Sequence, residues 1–96
     1  MEFKHVQSNG DATSEYELIL EEDYTLKELI SIIFEREEWG YINLVINQGV
    51  RRSYEYEGDK MLNKIDDATL SRVISKDKKH KASGGWTRMD YYFEIA

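Results

Sequence analysis

Ninety-six residues without cysteine or proline, 41% of them hydrophobic and 12% aromatic, supply one folded core and exclude a disulfide scaffold or a thiolate metal site. A net charge of −6 and a pI near 4.9 argue against a dedicated nucleic-acid binder, which is as a rule basic. No stretch approaches the ~20 apolar residues of a membrane span or the apolar run of a signal peptide, so residues 1–96 read as a single cytoplasmic domain with no membrane contact.

Residues 3–7 (FKHVQ) predict a strand with Phe3 and Val6 on opposite faces. Asn9-Gly10 marks a turn, because both residues tolerate positive φ. In 15–20 (EYELIL), Tyr16, Leu18 and Leu20 alternate with Glu15, Glu17 and Ile19, a half-buried strand that pairs back on the first. Thr25 followed by Glu28 has capping-box spacing, and Tyr24 with Leu29 fits a hydrophobic staple. Leu26, Leu29, Ile30, Ile33 and Phe34 then form one apolar helix stripe, with Ile32 off it, and Gly40 is the natural stop. Glu35, Glu37 and Glu38 crowd the negative end of that helix and call for a cationic neighbour.

Strand 41–47 (YINLVIN) sets Ile42, Leu44 and Ile46 on one face. A short loop at Asn47-Gln48-Gly49 leads into strand 50–57 (VRRSYEYE), where Arg52, Tyr54 and Tyr56 share a face. Gly58-Asp59 predicts a turn. Asp66 or Asp67 can cap a brief helix with Leu70, Val73 and Ile74 as its stripe and Arg72 and Lys76 at its C-terminal end; a strand over 66–75 is the rival reading. The polar run 75–83 carries no element of its own. Ser83-Gly84-Gly85 reads as a turn, and 87–95 as a strand with Met89, Tyr91, Phe93 and Ile95 inward and Arg88, Asp90, Tyr92 and Glu94 outward.

The expected order is β-β-α-β-β-(α)-β: an α+β domain with a mixed sheet of four to five strands and one long helix on one face. That order resembles the β-grasp, or ubiquitin-like, architecture, and the segment EEDYTLKELISII is similar to its strand-to-helix passage. The resemblance implies a last strand inserted beside the first. The final residues, Glu94-Ile95-Ala96, lack a Gly-Gly pair, so conjugation is not implied. The run ASGGWTRMDYYFEI is similar to the endings of small uncharacterised bacterial proteins of the mobile-element type, a resemblance that implies no activity.

Charge is divided by position. Residues 1–50 hold three basic and eleven acidic side chains, whereas residues 51–96 hold ten and eight. Either the halves match each other within the fold or they make two surfaces of opposite sign. His5 and His80 are far apart, and no metal-ligand or nucleophile spacing is present, so neither a metal, a cofactor nor an enzyme is expected. The basic hairpin Lys76, Lys78, Lys79, Lys81, Trp86 and Arg88 could hold an anion through its cations and glycine amides, or be a solvated loop. Arg52, Tyr54, Tyr56 and Tyr92 are residue types enriched at interface hot spots and make the candidate surface for a protein partner. The expectation is thus a small binding or accessory module, a monomer or weak homodimer. The alternative is an acidic mimic of nucleic acid, with Glu15, Glu17, Glu21, Glu22, Asp23, Glu35, Glu37 and Glu38 imitating a phosphate strip.

Overall fold

In the computed structural model the described residues are 1–10, 13–36, 41–48, 50–57, 62–85 and 87–94, with backbone placement alone for 9, 47–48 and 50–57. Among the described residues the strands and α-helices follow in chain order: β1 (Glu2–Asn9), β2 (Thr13–Ile19), β3 (Tyr24–Thr25), α1 (Leu26–Arg36), β4 (Tyr41–Gln48), β5 (Val50–Glu57), α2 (Asp67–Leu70), β6 (Val73–Ile74), β7 (His80–Gly84) and β8 (Arg88–Glu94). Six strands join in one sheet, ordered β1-β2-β7-β8-β4-β5, while β3 and β6 form a separate two-stranded pair. All neighbours in the large sheet run antiparallel except β4 and β8, which are parallel.

The period-two strands put their apolar sides on one face. Leu18 of β2, Ala82 of β7, Tyr91 and Phe93 of β8, and Ile42, Leu44 and Ile46 of β4 are all buried there. Leu26, Leu29, Ile30 and Ile33 of α1 close that face, each at most 1% exposed, and Phe34 and Ile32 pack at its margin. The helix starts where the capping box places it. The Glu28 amide donates to Thr25 Oγ1 at 3.2 Å and the Thr25 amide to Glu28 Oε1 at 3.3 Å. A further donor of the first turn, the Leu26 amide, reaches the Arg72 carbonyl at 2.9 Å, which ties the helix start to β6.

The α+β class and the helix across one face of a mixed sheet stand as expected, and three details differ. The sheet holds a sixth strand, β7, inside the polar run read as unstructured. His80 and Ala82 are its inward residues, and pairing with β2 and β8 on its two sides offsets the weak strand propensity of HKASG. The closing strand β8 does not lie beside β1, as in a β-grasp, but between β7 and β4; β1 is an edge. Residues 66–75 are neither one helix nor one strand. Asp66 caps a single turn through Thr69 N–H at 2.7 Å, and the helix ends at Leu70. Val73 and Ile74 then pair with Thr25 and Tyr24, which leaves Val73 exposed instead of on a helix stripe and takes Arg72 and Lys76 beyond the helix. Glu37, Glu38, Gly40, Gly49, Gly58, Asp59, Trp86 and Ile95 lie outside the described residues.

Candidate functional site

With α1 on one face, the other face of the sheet carries the outward residues of each strand. From the edge inward these include Lys4 on β1, Glu15 and Glu17 on β2, Lys81 and Ser83 on β7, Tyr92 on β8 and Val45 on β4. All are at least partly accessible. A depression of about 680 Å³ lies on this face, lined by Val6, Glu15, Glu17, Val45, Lys81 and Tyr92 among others. Strand register builds its floor: Lys81 is paired with Glu17 on one side and Tyr92 on the other, and Tyr92 with Val45. The Lys81 ammonium sits 5.0 Å from the centroid of the Tyr92 ring, a cation–π contact that keeps the long side chain laid along the sheet.

Polar contacts lie on the same face outside the lining of the depression. Asn43 Nδ2 donates to Asp90 Oδ1 at 2.9 Å, and Arg88 Nε donates to the same oxygen at 3.1 Å. Glu94 does line it, and Lys78 Nζ stands 3.7 Å from Glu94 Oε1, an exposed pair that contributes only about 0–1 kcal/mol.

Beneath the basic hairpin lies His80, which the sequence marks only as too far from His5 to share a metal. It is 2% exposed, and both ring nitrogens are committed. The Glu94 amide donates to Nδ1 at 3.3 Å, which fixes the neutral tautomer with Nε2–H donating to the Ser75 carbonyl at 2.8 Å. His80 thus ties the 75–79 turn to the end of β8, with its ring against Phe93 at 5.8 Å. The signal of its burial is the alternation Lys79-His80-Lys81-Ala82, in which His80 and Ala82 each follow a lysine.

The structure separates the residues singled out from the sequence. Lys81 and Tyr92 come together, Arg88 joins Asp90, and Lys78 meets Glu94, while Lys79 is exposed on the approach to β7. Lys76 contributes its backbone: its amide donates to Asp23 Oδ1 at 2.9 Å. The expected glycine cradle for an anion is not formed at Gly85, because its amide closes the turn on the Arg88 carbonyl at 2.9 Å. Arg52, Tyr54 and Tyr56 are set opposite Ile46, Leu44 and Ile42, the three buried apolar positions of β4. Paired residues of an antiparallel ladder share a face, so this trio belongs to the face opposite that of Tyr92. Beyond that placement, their side chains lie outside the described ones.

Of the acidic half, Glu17 is laid beside Lys81 in the β2–β7 ladder, so part of the opposite charge is matched within the sheet. Glu21 is bound by the Met1 ammonium and accepts from the Tyr24 hydroxyl at 2.9 Å. Chiefly through the Met1 hydrogen bond, its carboxyl is pulled down to about 2, and the Tyr24 phenol is raised in return by the Glu21 carboxylate. Among the described residues no group of three or more His, Asp or Glu is placed to hold a metal ion, and no helix is long and apolar enough to cross a membrane. Comparisons with protein-family models, with curated proteins and with solved structures find no match to the chain, so the functional reading rests on this geometry.

Proposed function

We propose that the chain is a non-enzymatic binding module that engages a protein partner through the uncovered face of its sheet, centred on Lys81 and Tyr92. The supporting observation is the half-buried Tyr92 ring in the middle of a concave surface, with Lys81 held over it and Val45 beside it. A tyrosine already confined by neighbours offers flat contact area and loses little rotamer entropy on binding. The flanks are mixed in sign, Glu15 and Glu17 on β2 against Lys79 and Lys81 at β7, which suits a partner that presents both charges and not a uniform polyanion.

Capture from a lysate of the native cell tests this. Tyr92→Ala and Lys81→Glu should each lose the captured protein, with Tm unchanged within ~3 °C because both positions face solvent. Capture lost instead in Tyr54→Ala or Tyr56→Ala, at unchanged Tm and with Tyr92→Ala still competent, would move the surface to β5. Should Glu15→Lys and Glu35→Lys abolish inhibition of a nucleic-acid-binding target while Lys81→Glu does not, the acidic-mimic reading takes its place.

A further inference from the structure

Among the described residues the strand β1 is an edge of the large sheet, paired with β2 on one side only. Proteins shield such edges with bulges and charges, since an open row of backbone donors and acceptors is a template for another strand. Here the shielding is partial. The β1–β2 register slips between His5 and Gln7, so a bulge at Val6 interrupts the second half of the strand. Residues 2–5 remain regular, each paired in sequence with Ile19, Leu18, Glu17 and Tyr16. The regular half of the edge therefore ends where the bulge begins.

The side chains of this half are self-complementary in one register. Glu2 and Lys4 fall on the outer face and are both exposed, with Phe3 between them on the core face. When two copies align antiparallel about Phe3, each Glu2 lies opposite a Lys4, twice over, and Phe3 lies opposite itself. The two neighbouring registers that keep the faces matched set Glu2 against Glu2 or Lys4 against Lys4. Only the Phe3 register joins unlike charges. Phe3 is held firmly for the purpose: its ring meets Tyr16 and Tyr91 edge-on at 6.0 and 6.1 Å, and the Arg36 guanidinium lies 3.7 Å over it from the helix side.

We propose that residues 2–5 of β1 pair antiparallel with the same residues of a second copy, in the Phe3-centred register, to give a weak homodimer with one sheet continuous through both chains. This association does not depend on the function proposed above, because β1 borders the Lys81–Tyr92 surface without covering it.

Sedimentation velocity over 10 µM to 1 mM at low salt tests the inference by charge exchange. Lys4→Glu and Glu2→Lys should each weaken dimerisation at least about tenfold, because each sets like charges opposite across the two-fold twice. The combined variant Glu2→Lys/Lys4→Glu restores unlike charges at the same positions and should return the dissociation constant to within about twofold to threefold of the parent. Circular dichroism with Tm within ~3 °C of the parent establishes that all three variants keep the fold. A parent that is monomeric at 1 mM overturns the proposal. A dimer that ignores the single exchanges, or one that the double exchange fails to rescue, overturns it equally. As a second readout, of the adjacent Phe3 and Lys4 amides the one directed away from β2 should exchange more slowly with rising protein concentration, whereas those at Gln7 and Ser8 should not change.

Discussion

Replacing Gly84 by alanine tests the hairpin that carries the candidate surface. Gly84 is paired with Ser14 on one side and Met89 on the other, at a φ of +151° that side-chain-bearing residues rarely adopt. A Cβ added there would overlap the Arg88 carbonyl oxygen and lie 2.8 Å from Met89 Cα. Both obstacles are backbone, so no rotamer change relieves them and the β7–β8 turn must open. Backbone strain of this kind costs about 1–3 kcal/mol, and forced displacement of packed neighbours about 1–3 kcal/mol more. The expected loss is therefore ~2–6 kcal/mol, against a total stability of ~5–15 kcal/mol for a domain of this class. For a chain of this length even ~2 kcal/mol lowers Tm by roughly 8–16 °C. Gly10→Ala is the matched control, since a Cβ at Gly10 meets nothing within 4 Å and should stay within ~0.5 kcal/mol of the parent. Urea and thermal melts of both variants provide the measurement. A Gly84→Ala midpoint indistinguishable from that of Gly10→Ala would refute the packing described for the β7–β8 turn.

Other expectations concern the core, the cap, the buried histidine and acid stability. Ile33→Ala, at a position 1% exposed beneath the helix, should cost about 2–5 kcal/mol in urea melts; a shift no larger than that of Lys27→Ala would dismantle the helix-on-sheet core. Thr25→Ala should cost about 1 kcal/mol by removing the cap, and Thr25→Ser should recover most of it. His80→Phe preserves bulk but leaves the Ser75 carbonyl and the Glu94 amide without their partner, at ~1–3 kcal/mol each; unchanged hydrogen exchange at Glu94 would argue against the bond to Nδ1. Because the folded Glu21 carboxyl lies at about 2 and its ordinary value is 4.5, its contribution to stability is complete above pH ~4.5 and is lost as pH falls toward 2. A side-chain NMR titration with a midpoint above 4, in the chain with a free Met1 amine, would contradict the pairing.

What was readable in advance follows from how local each signal is. Helix α1 announced itself through the Thr25–Glu28 box and a stripe of five residues, four of them buried and Phe34 partly so, because capping and periodicity act within one or two turns. The inward and outward sides of β8 were equally plain from their alternation. Strand β7 was not, since HKASG has neither branched nor aromatic residues; it is a strand because β2 and β8 flank it, a fact of tertiary pairing. Val73-Ile74 sat within reach of a helical stripe and lost it to a two-residue bridge with β3. The same limit governs the site. Lys81 and Tyr92 are eleven positions apart and were named in separate groups, because only the β7–β8 register makes them neighbours. Residue type alone links Tyr92 to Tyr54 and Tyr56, whereas strand register sets them on opposite faces.

The position of the β7–β8 hairpin has a consequence for biosynthesis. Hairpins β1–β2 and β4–β5 are each complete within a short stretch of chain, yet among the described residues they are joined in the sheet through β7 and β8, which come after both in the chain. At ~5–20 residues per second, the ribosome reaches Glu94 about 2–7 s after Glu57. Until β7 and β8 dock, β2 and β4 each present an unpaired backbone edge, with the core residues Leu18 on one and Leu44 on the other left uncovered. The nascent chain is thus two half-sheets waiting for a wedge. A chain whose residues 80–94 have not yet joined the sheet would hold out a species prone to stick to its neighbours, and docking of the β7–β8 hairpin closes the sheet.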